Sequence, residues 1–251
     1  MNPILFSIGT LNIYSYSVYL TAGCLLAMGW AMREARLKEL PFTLAPVAGI
    51  IAIACGIAGA RVLYVALYPQ EFIQNVIEIF YIWQGGLVFS GAFIFGSLSG
   101  LLYLKSQKQE LLPWLDCFAP AIALGQAVGR LGCFSAGCCY GKHTDLAWAV
   151  TFKNADSLAP LFYPLHPTQL YHSLAGLVSF IILLLAKKFI KTDGQLTGLF
   201  LLLFSVFRFI IEFFRADYRG TLGSISVTQF ITLVFFSIGI YLLFINKKRS
   251  S

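Results

Sequence analysis

Charged residues are scarce in this chain: Asp, Glu, Lys and Arg make up 12% of its 251 residues, against 58% hydrophobic ones. Soluble domains carry about 25% charge to cover an apolar core, so an ordinary soluble fold is excluded. A mean hydropathy of +0.78 points to an integral membrane protein. Acidic groups are the rarer sign, 11 against 18 Lys and Arg, for a net charge of +7. The basic residues fall in short clusters between apolar runs rather than along one polar face, so they report topology and no nucleic-acid partner is expected. The long runs lack polar/apolar alternation, which excludes a β-barrel and favours helices. Repeats, low-complexity tracts and a second domain are also missing, so residues 1–251 read as a single integral membrane domain, and a transporter built from repeated halves is disfavoured. The first ten residues have no basic stretch and no small-residue cleavage site, so no removable signal peptide is expected.

What is present is a series of about seven apolar runs, near 16–32, 44–67, 87–104, 113–131, 169–186, 196–214 and 225–245. Each approaches the roughly 20 residues a helix needs to cross the hydrocarbon core. With seven spans, Arg33, Arg36, Lys38, Lys105, Lys108, Lys187, Lys188, Lys191, Lys247, Lys248 and Arg249 share one side, and the segment 68–83 opposite holds no Lys or Arg. The positive-inside rule then puts the N-terminus outside and the C-terminus in the cytoplasm. The fold class is an all-α membrane protein with a small extracytoplasmic cap, where D-L-A-W-A-V-T-F within 142–168 alternates enough for a short strand or hairpin.

Three arginines sit inside or at the end of these runs: Arg61, Arg130 and Arg208. A guanidinium there is costly without an anion, and the topology places all three at similar depth toward the outer leaflet, where a phosphate is the simplest common partner. Arg208 has Glu212 one turn on and Arg215 a further turn along, so a self-contained pair is the alternative. Arg61 can instead hold a neighbouring helix end through carbonyls. Arg130, in G-R-L-G, has no local acid, and its flanking glycines allow backbone and ligand to approach while the guanidinium grips two phosphate oxygens.

The segment 128–145 also concentrates Cys133, Cys138, Cys139 and His143. C-x4-C-C-x3-H lacks the paired clusters of a structural zinc site, and no C-x-x-C is present. Small-residue packing is therefore favoured over a metal or redox site, although a Cys133 to Cys138 disulfide stays open. No metal or cofactor is expected. Cys24, Cys55 and Cys117 read as packing residues within spans.

G-R-L-G-C-F-S-A-G-C-C-Y-G-K-H-T-D, then H-P-T-Q-L-Y at 166–171 and F-R-F-I-I-E-F-F-R-A-D at 207–217, resemble the prolipoprotein diacylglyceryl transferase family. A-G-A-R at 58–61 and W-Q-G-G-L-V-F-S-G-A at 83–92 extend the resemblance over most of the chain. It implies a multi-pass enzyme of the bacterial cytoplasmic (inner) membrane. Its partners would be membrane lipids, phosphatidylglycerol as donor of a diacylglyceryl group, and the lipobox segment of a prolipoprotein, whose cysteine thiol accepts that group as glycerol 1-phosphate leaves. By motif, Arg130 matches the phosphatidylglycerol-binding arginine, Arg208, Glu212 and Arg215 match R-x-x-x-E-x-x-R, and Tyr16 corresponds to a first-span tyrosine. Four positions depart from the pattern: Ser90 stands for histidine, Cys133 for asparagine, Cys138 for an acid and His172 for glutamate. The anion-binding part is retained better than the acid-base part. His143, His166 or His172 could compensate as base, or His166 could simply hold its loop. A lipid-binding or lipid-moving protein without the chemistry, or a transferase with a different acceptor, is the competing reading.

Overall fold

The structure, a computed structural model, describes residues 2–9, 11–73, 75–216, 221–222 and 225–244. Arg219, Asp217 and the basic tail Lys247, Lys248 and Arg249, which enter the topology and motif readings, lie outside them. Seven α-helices are found among the described residues: α1 (Ser15–Leu37), α2 (Leu44–Leu67), α3 (Phe89–Ser106), α4 (Leu111–Ala136), α5 (Thr168–Ala186), α6 (Gln195–Glu212) and α7 (Val227–Phe244). Each matches one apolar run of the sequence to within a few residues. By length and composition α2, α4, α5 and α6 can each cross a membrane, and 228–244 is a shorter apolar segment.

The all-helical expectation needs one amendment. Three short antiparallel pairs accompany the helices: β1 (Ile4–Ile8) with β2 (Leu11–Tyr14), β3 (Val150–Thr151) with β4 (Pro164–Leu165), and β5 (Thr221–Leu222) with β6 (Ile225–Ser226). The first leads into α1. The second forms at the alternation noted within 142–168 and carries a small apolar core of Phe152, Ala159 and Leu165.

The chain divides into two compact units, one of Met1–Ala31 with Leu115–Ser251 and one of Met32–Trp114. In the second unit, α2 and α3 pack through small residues, with no room for a side chain at Gly96, whose Cβ would lie 2.8 Å from the Ala52 carbonyl. In the first, the distribution of polarity is reversed relative to a soluble domain. Leu174, Leu185, Phe230 and Tyr241 point outward, whereas Thr168, Gln169, His172, Ser179, Arg208 and Thr232 are buried. Helices solvated by lipid can do this, because their own backbones satisfy their hydrogen bonds.

α4 is the central helix of that unit. A Cβ on Gly23 of α1 would stand 2.8 Å from the Gly125 carbonyl, and one on Gly176 of α5 would stand 3.0 Å from the Ala123 carbonyl. These contacts bring three backbones together, as small residues do in membranes. Ser173 strengthens the α5 side by donating to the Ala127 carbonyl at 2.6 Å.

The start of α6 is fixed by a buried carboxylate from another helix. Asp116 of α4 accepts from the backbone N–H groups of Gly194 and Thr197, each at 2.9 Å, and from the Thr197 hydroxyl at 2.7 Å. It performs the task of a capping side chain. Asp116→Ala should strand these donors and lower stability by about 3 kcal/mol; a melting temperature in detergent equal to that of the parent would refute this role.

Candidate active site

Two glycines decide where Arg130 lies. Near the C-terminal end of α4, Gly129 and Gly132 flank it, and a Cβ on Gly132 would come within 3.1 Å of the Tyr16 carbonyl. α1 therefore passes directly against the G-R-L-G turn, bringing Tyr16 within electrostatic reach of Arg130, Cys133, Cys138 and Cys139. The half-buried Arg130 has neither a hydrogen bond nor an ion pair among the described residues.

Arg208 and Arg215 arrive from α6 and the turn after it, both buried. Arg208 forms an ion pair with Glu212 at 3.2 Å and meets His172 Nε2 at 2.8 Å through Nη1. A guanidinium only donates, so Nε2 accepts and the imidazole carries its proton on Nδ1. The His172 lone pair is thus committed to orienting Arg208 and is not free to take a proton from substrate. The charges of Arg130, Arg208 and Arg215 all act on this ring. Three cations therefore gather around one histidine, with Glu212 as the nearby carboxylate.

Arg215 is set by a strand-like contact across the cap. Gly141 bridges Arg215, the Lys142 N–H donates to the Phe214 carbonyl at 2.8 Å, and the Ala216 N–H donates to the Tyr140 carbonyl at 3.4 Å. A Cβ on Gly141 would fall 2.6 Å from the Phe214 carbonyl and 2.7 Å from that of His166, so only glycine fits.

The cysteines converge as their spacing did not lead one to expect. After α4 the chain turns at Gly137, with φ of 76°, and again at Cys139, with φ of 60°. A non-glycine residue in that region costs about 1–2 kcal/mol; the fold holds it there because the fully buried Thr168 and Gln169 donate to the Cys139 and Cys138 carbonyls at 2.6 and 2.8 Å. The three sulfurs of Cys133, Cys138 and Cys139 come to lie within 4.8 Å of one another. Hydrogen bonds from the Cys133 and Cys138 thiols, with Arg215 beside it, pull the Cys139 thiol well below its ordinary pKa. The Cys133 and Cys139 sulfurs, together with burial, push Cys138 up.

Other expected residues have surroundings of their own. Arg61, in the second unit, donates to the carbonyls of Glu78, Ile79, Gly85 and Gly86. Its geometry is that of the carbonyl alternative, a staple for the turns at Pro69–Phe72, Val76–Phe80 and Ile82–Gln84 that follow α2. Ser90, in the same unit, is exposed at the start of α3. His166 packs on Phe214, 5.1 Å between ring centres, and its Nδ1 lies 3.1 Å from the Tyr171 hydroxyl, which accepts from Trp148. That is the loop-holding role. His143 is exposed, with Asp145 3.9 Å away. Sequence reasoning missed Thr168 and Gln169 as anchors of the cysteine turn, although both stand in the H-P-T-Q-L-Y motif.

Beneath Arg208 a narrow crevice opens between α4, α5 and α6. His172 and Arg208 form its polar end, and Ala175, Gly176, Phe200 and Phe204 line its apolar part.

The family model described as prolipoprotein diacylglyceryl transferase matches residues 3–245. The chain is 37% identical over 252 residues to a phosphatidylglycerol-prolipoprotein diacylglyceryl transferase of Clostridium tetani, covering 99% of both proteins. It is 34% identical over 249 residues to phosphatidylglycerol-prolipoprotein diacylglyceryl transferase 2 of Clostridium perfringens, over 99% of this chain and 97% of the relative. A phosphatidylglycerol-prolipoprotein diacylglyceryl transferase of Finegoldia magna is 31% identical over 250 residues, with 99% and 97% covered. Matches of this length leave no part of the helical body or its site unaccounted for, and the chain belongs to the prolipoprotein diacylglyceryl transferase family.

Proposed function

We propose that the chain transfers the diacylglyceryl group of phosphatidylglycerol to the thiol of a lipobox cysteine in a prolipoprotein, releasing glycerol 1-phosphate. It does so as a single multi-pass domain of a bacterial cytoplasmic membrane, with seven spans, the N-terminus outside and the C-terminus inside. The acceptor sulfur attacks a glycerol carbon, a C–S bond forms, and the C–O bond to phosphate breaks with its electron pair leaving on the phosphate oxygen. The thiol proton departs to solvent or to that phosphate.

One observation carries this reading: the charges of Arg130, Arg208 and Arg215 all act on His172, and Glu212 pairs with Arg208. A bound phosphodiester offsets the excess positive charge, and the extra negative charge that develops on the leaving phosphate is met by donors already in place. Arg130, which has no protein anion, grips the phosphate. Arg208, aimed by His172 and Glu212, and Arg215, set by the Gly141 bridge, complete the cradle. Tyr16 faces the same group from α1. Arg61 supports its own loop in the second unit.

The test is a transfer assay with purified protein, labelled phosphatidylglycerol and a lipobox peptide. Lipidated peptide is the expected product. Phosphatidylglycerol binding that depends on Arg130, with no peptide ever lipidated, would instead favour a lipid-binding or lipid-moving protein. Gly141→Ala should lower the transfer rate by about 100-fold, because an ångström of misplacement at a reacting centre has that scale. The same clash with two backbone carbonyls should also lower the melting temperature, so the rate is compared below it; an unchanged rate would show that the bridge does not position Arg215.

A further inference from the structure

The three-cysteine turn is not used by the reaction as written above, yet it is the most constrained piece of chain near the arginines. Its sulfurs lie within 4.8 Å of one another. Tetrahedral zinc, with Zn–S near 2.3 Å, sets its sulfurs about 3.8 Å apart, so small rotations of half-buried side chains close the set around an ion. The backbone is already committed: Gly137 and Cys139 take positive φ, and Thr168 and Gln169 pin the Cys139 and Cys138 carbonyls.

The surroundings suit a cation bound by anionic sulfurs. Cys133 lies in the last turn of α4, where the carbonyl end of a helix favours positive charge. Arg215 bonds to Cys139, and Arg130 acts on Cys133. Arg215 thereby supplies the outer hydrogen bonding that tunes metal-bound sulfur. Among the described residues His143 does not belong to the sulfur group and is exposed, so the group counts three ligands there, the number that catalytic rather than structural zinc sites use.

Among the described residues of this unit, His172 Nε2 accepts from Arg208 and His166 Nδ1 contacts the Tyr171 hydroxyl, so neither of these nitrogens is open to an acceptor thiol. We infer that Cys133, Cys138 and Cys139 form a three-thiolate site for zinc, whose open fourth position takes the sulfur of the acceptor cysteine. Metal coordination deprotonates a thiol outright. The acceptor S–H proton goes to solvent as the Zn–S bond forms. The bound thiolate then attacks the glycerol carbon, the C–O bond breaks, and glycerol 1-phosphate leaves with the electron pair into the arginine cradle. The thioether product is a poor ligand and departs. No electron is gained or lost by the ion. This inference rests on the transfer reaction proposed above.

The experiment uses the full chain, purified under reducing conditions and stripped of metal, and titrates it with Zn(II) or Co(II) alone. One equivalent should bind, with the near-ultraviolet absorption of a cobalt-thiolate centre. Adding lipobox peptide should intensify that band, and the same peptide with its cysteine replaced by serine should not. Cys139→Ser and Cys138→Ser should lose the band while still binding phosphatidylglycerol, which shows that they are folded. Transfer should fail after chelation and return with zinc. Failure to take up one equivalent, a Cys133 to Cys138 disulfide in fresh protein, or full transfer after complete chelation would overturn the ion site and leave the transferase reading standing. A thiolate-bound ion whose band ignores the peptide, in a protein that lipidates no peptide, would instead overturn the transferase reading and the acceptor role with it.

Discussion

Replacing Arg130 by alanine is expected to lower diacylglyceryl transfer by about 10²–10³-fold, the scale on which removing one preorganised donor to a developing oxyanion acts. The expectation follows from what surrounds the residue. Arg208 has Glu212 and His172, whereas Arg130 has no hydrogen bond or ion pair among the described residues. Its folded-state environment therefore costs stability that a phosphate would recover, and the loss in Arg130→Ala should fall on substrate rather than on the fold. Melting temperature without lipid should hold or rise, while the shift produced by phosphatidylglycerol should shrink. Arg130→Lys should recover little, because an ammonium cannot reproduce a planar two-oxygen grip. The same rate in all three proteins would remove Arg130 from the cradle; a collapse of stability in Arg130→Ala would make it a structural residue.

The same physics explains which features were legible in the sequence. Continuous apolar runs have one solution in lipid, so the seven helices fall where the runs do, and a guanidinium within such a run has to be answered by something. What answers it depends on backbone that no residue pattern encodes. Arg61 resembled Arg130 as a cation at a span's outer end, yet turns after α2 deliver four carbonyls to it. His172 and His166 looked equally available as bases; a 2.8 Å contact to Arg208 and an aromatic enclosure separate them. The cysteine spacing C-x4-C-C hid its convergence because two residues of positive φ fold the chain back over the end of α4. The β1–β2 pair was overlooked because its strands are too short for a pattern to stand out.

Glu212→Gln is the second substitution with a large expected effect, and it probes the cradle from its anionic side. Glu212 pairs with buried Arg208 at 3.2 Å and receives a weaker contact from the Ser226 hydroxyl at 3.4 Å. Removing one charge of a buried pair leaves the other uncompensated, at a cost of about 3–5 kcal/mol. Here the penalty is compounded because Arg130 and Arg215 also lie near His172. The variant should therefore melt well below the parent without lipid, and an anionic phospholipid should recover more stability in it than in the parent, since the phosphate now serves as counter-ion for three guanidiniums. Zwitterionic lipid should not. Transfer should fall even when the variant is saturated with phosphatidylglycerol, because His172 alone does not hold Arg208 toward the leaving oxygen. Equal stabilisation of parent and variant by anionic lipid would mean that the headgroup binds elsewhere. The Arg208–Glu212 pair would then be a strut between α6 and the start of α7, not part of a phosphate site.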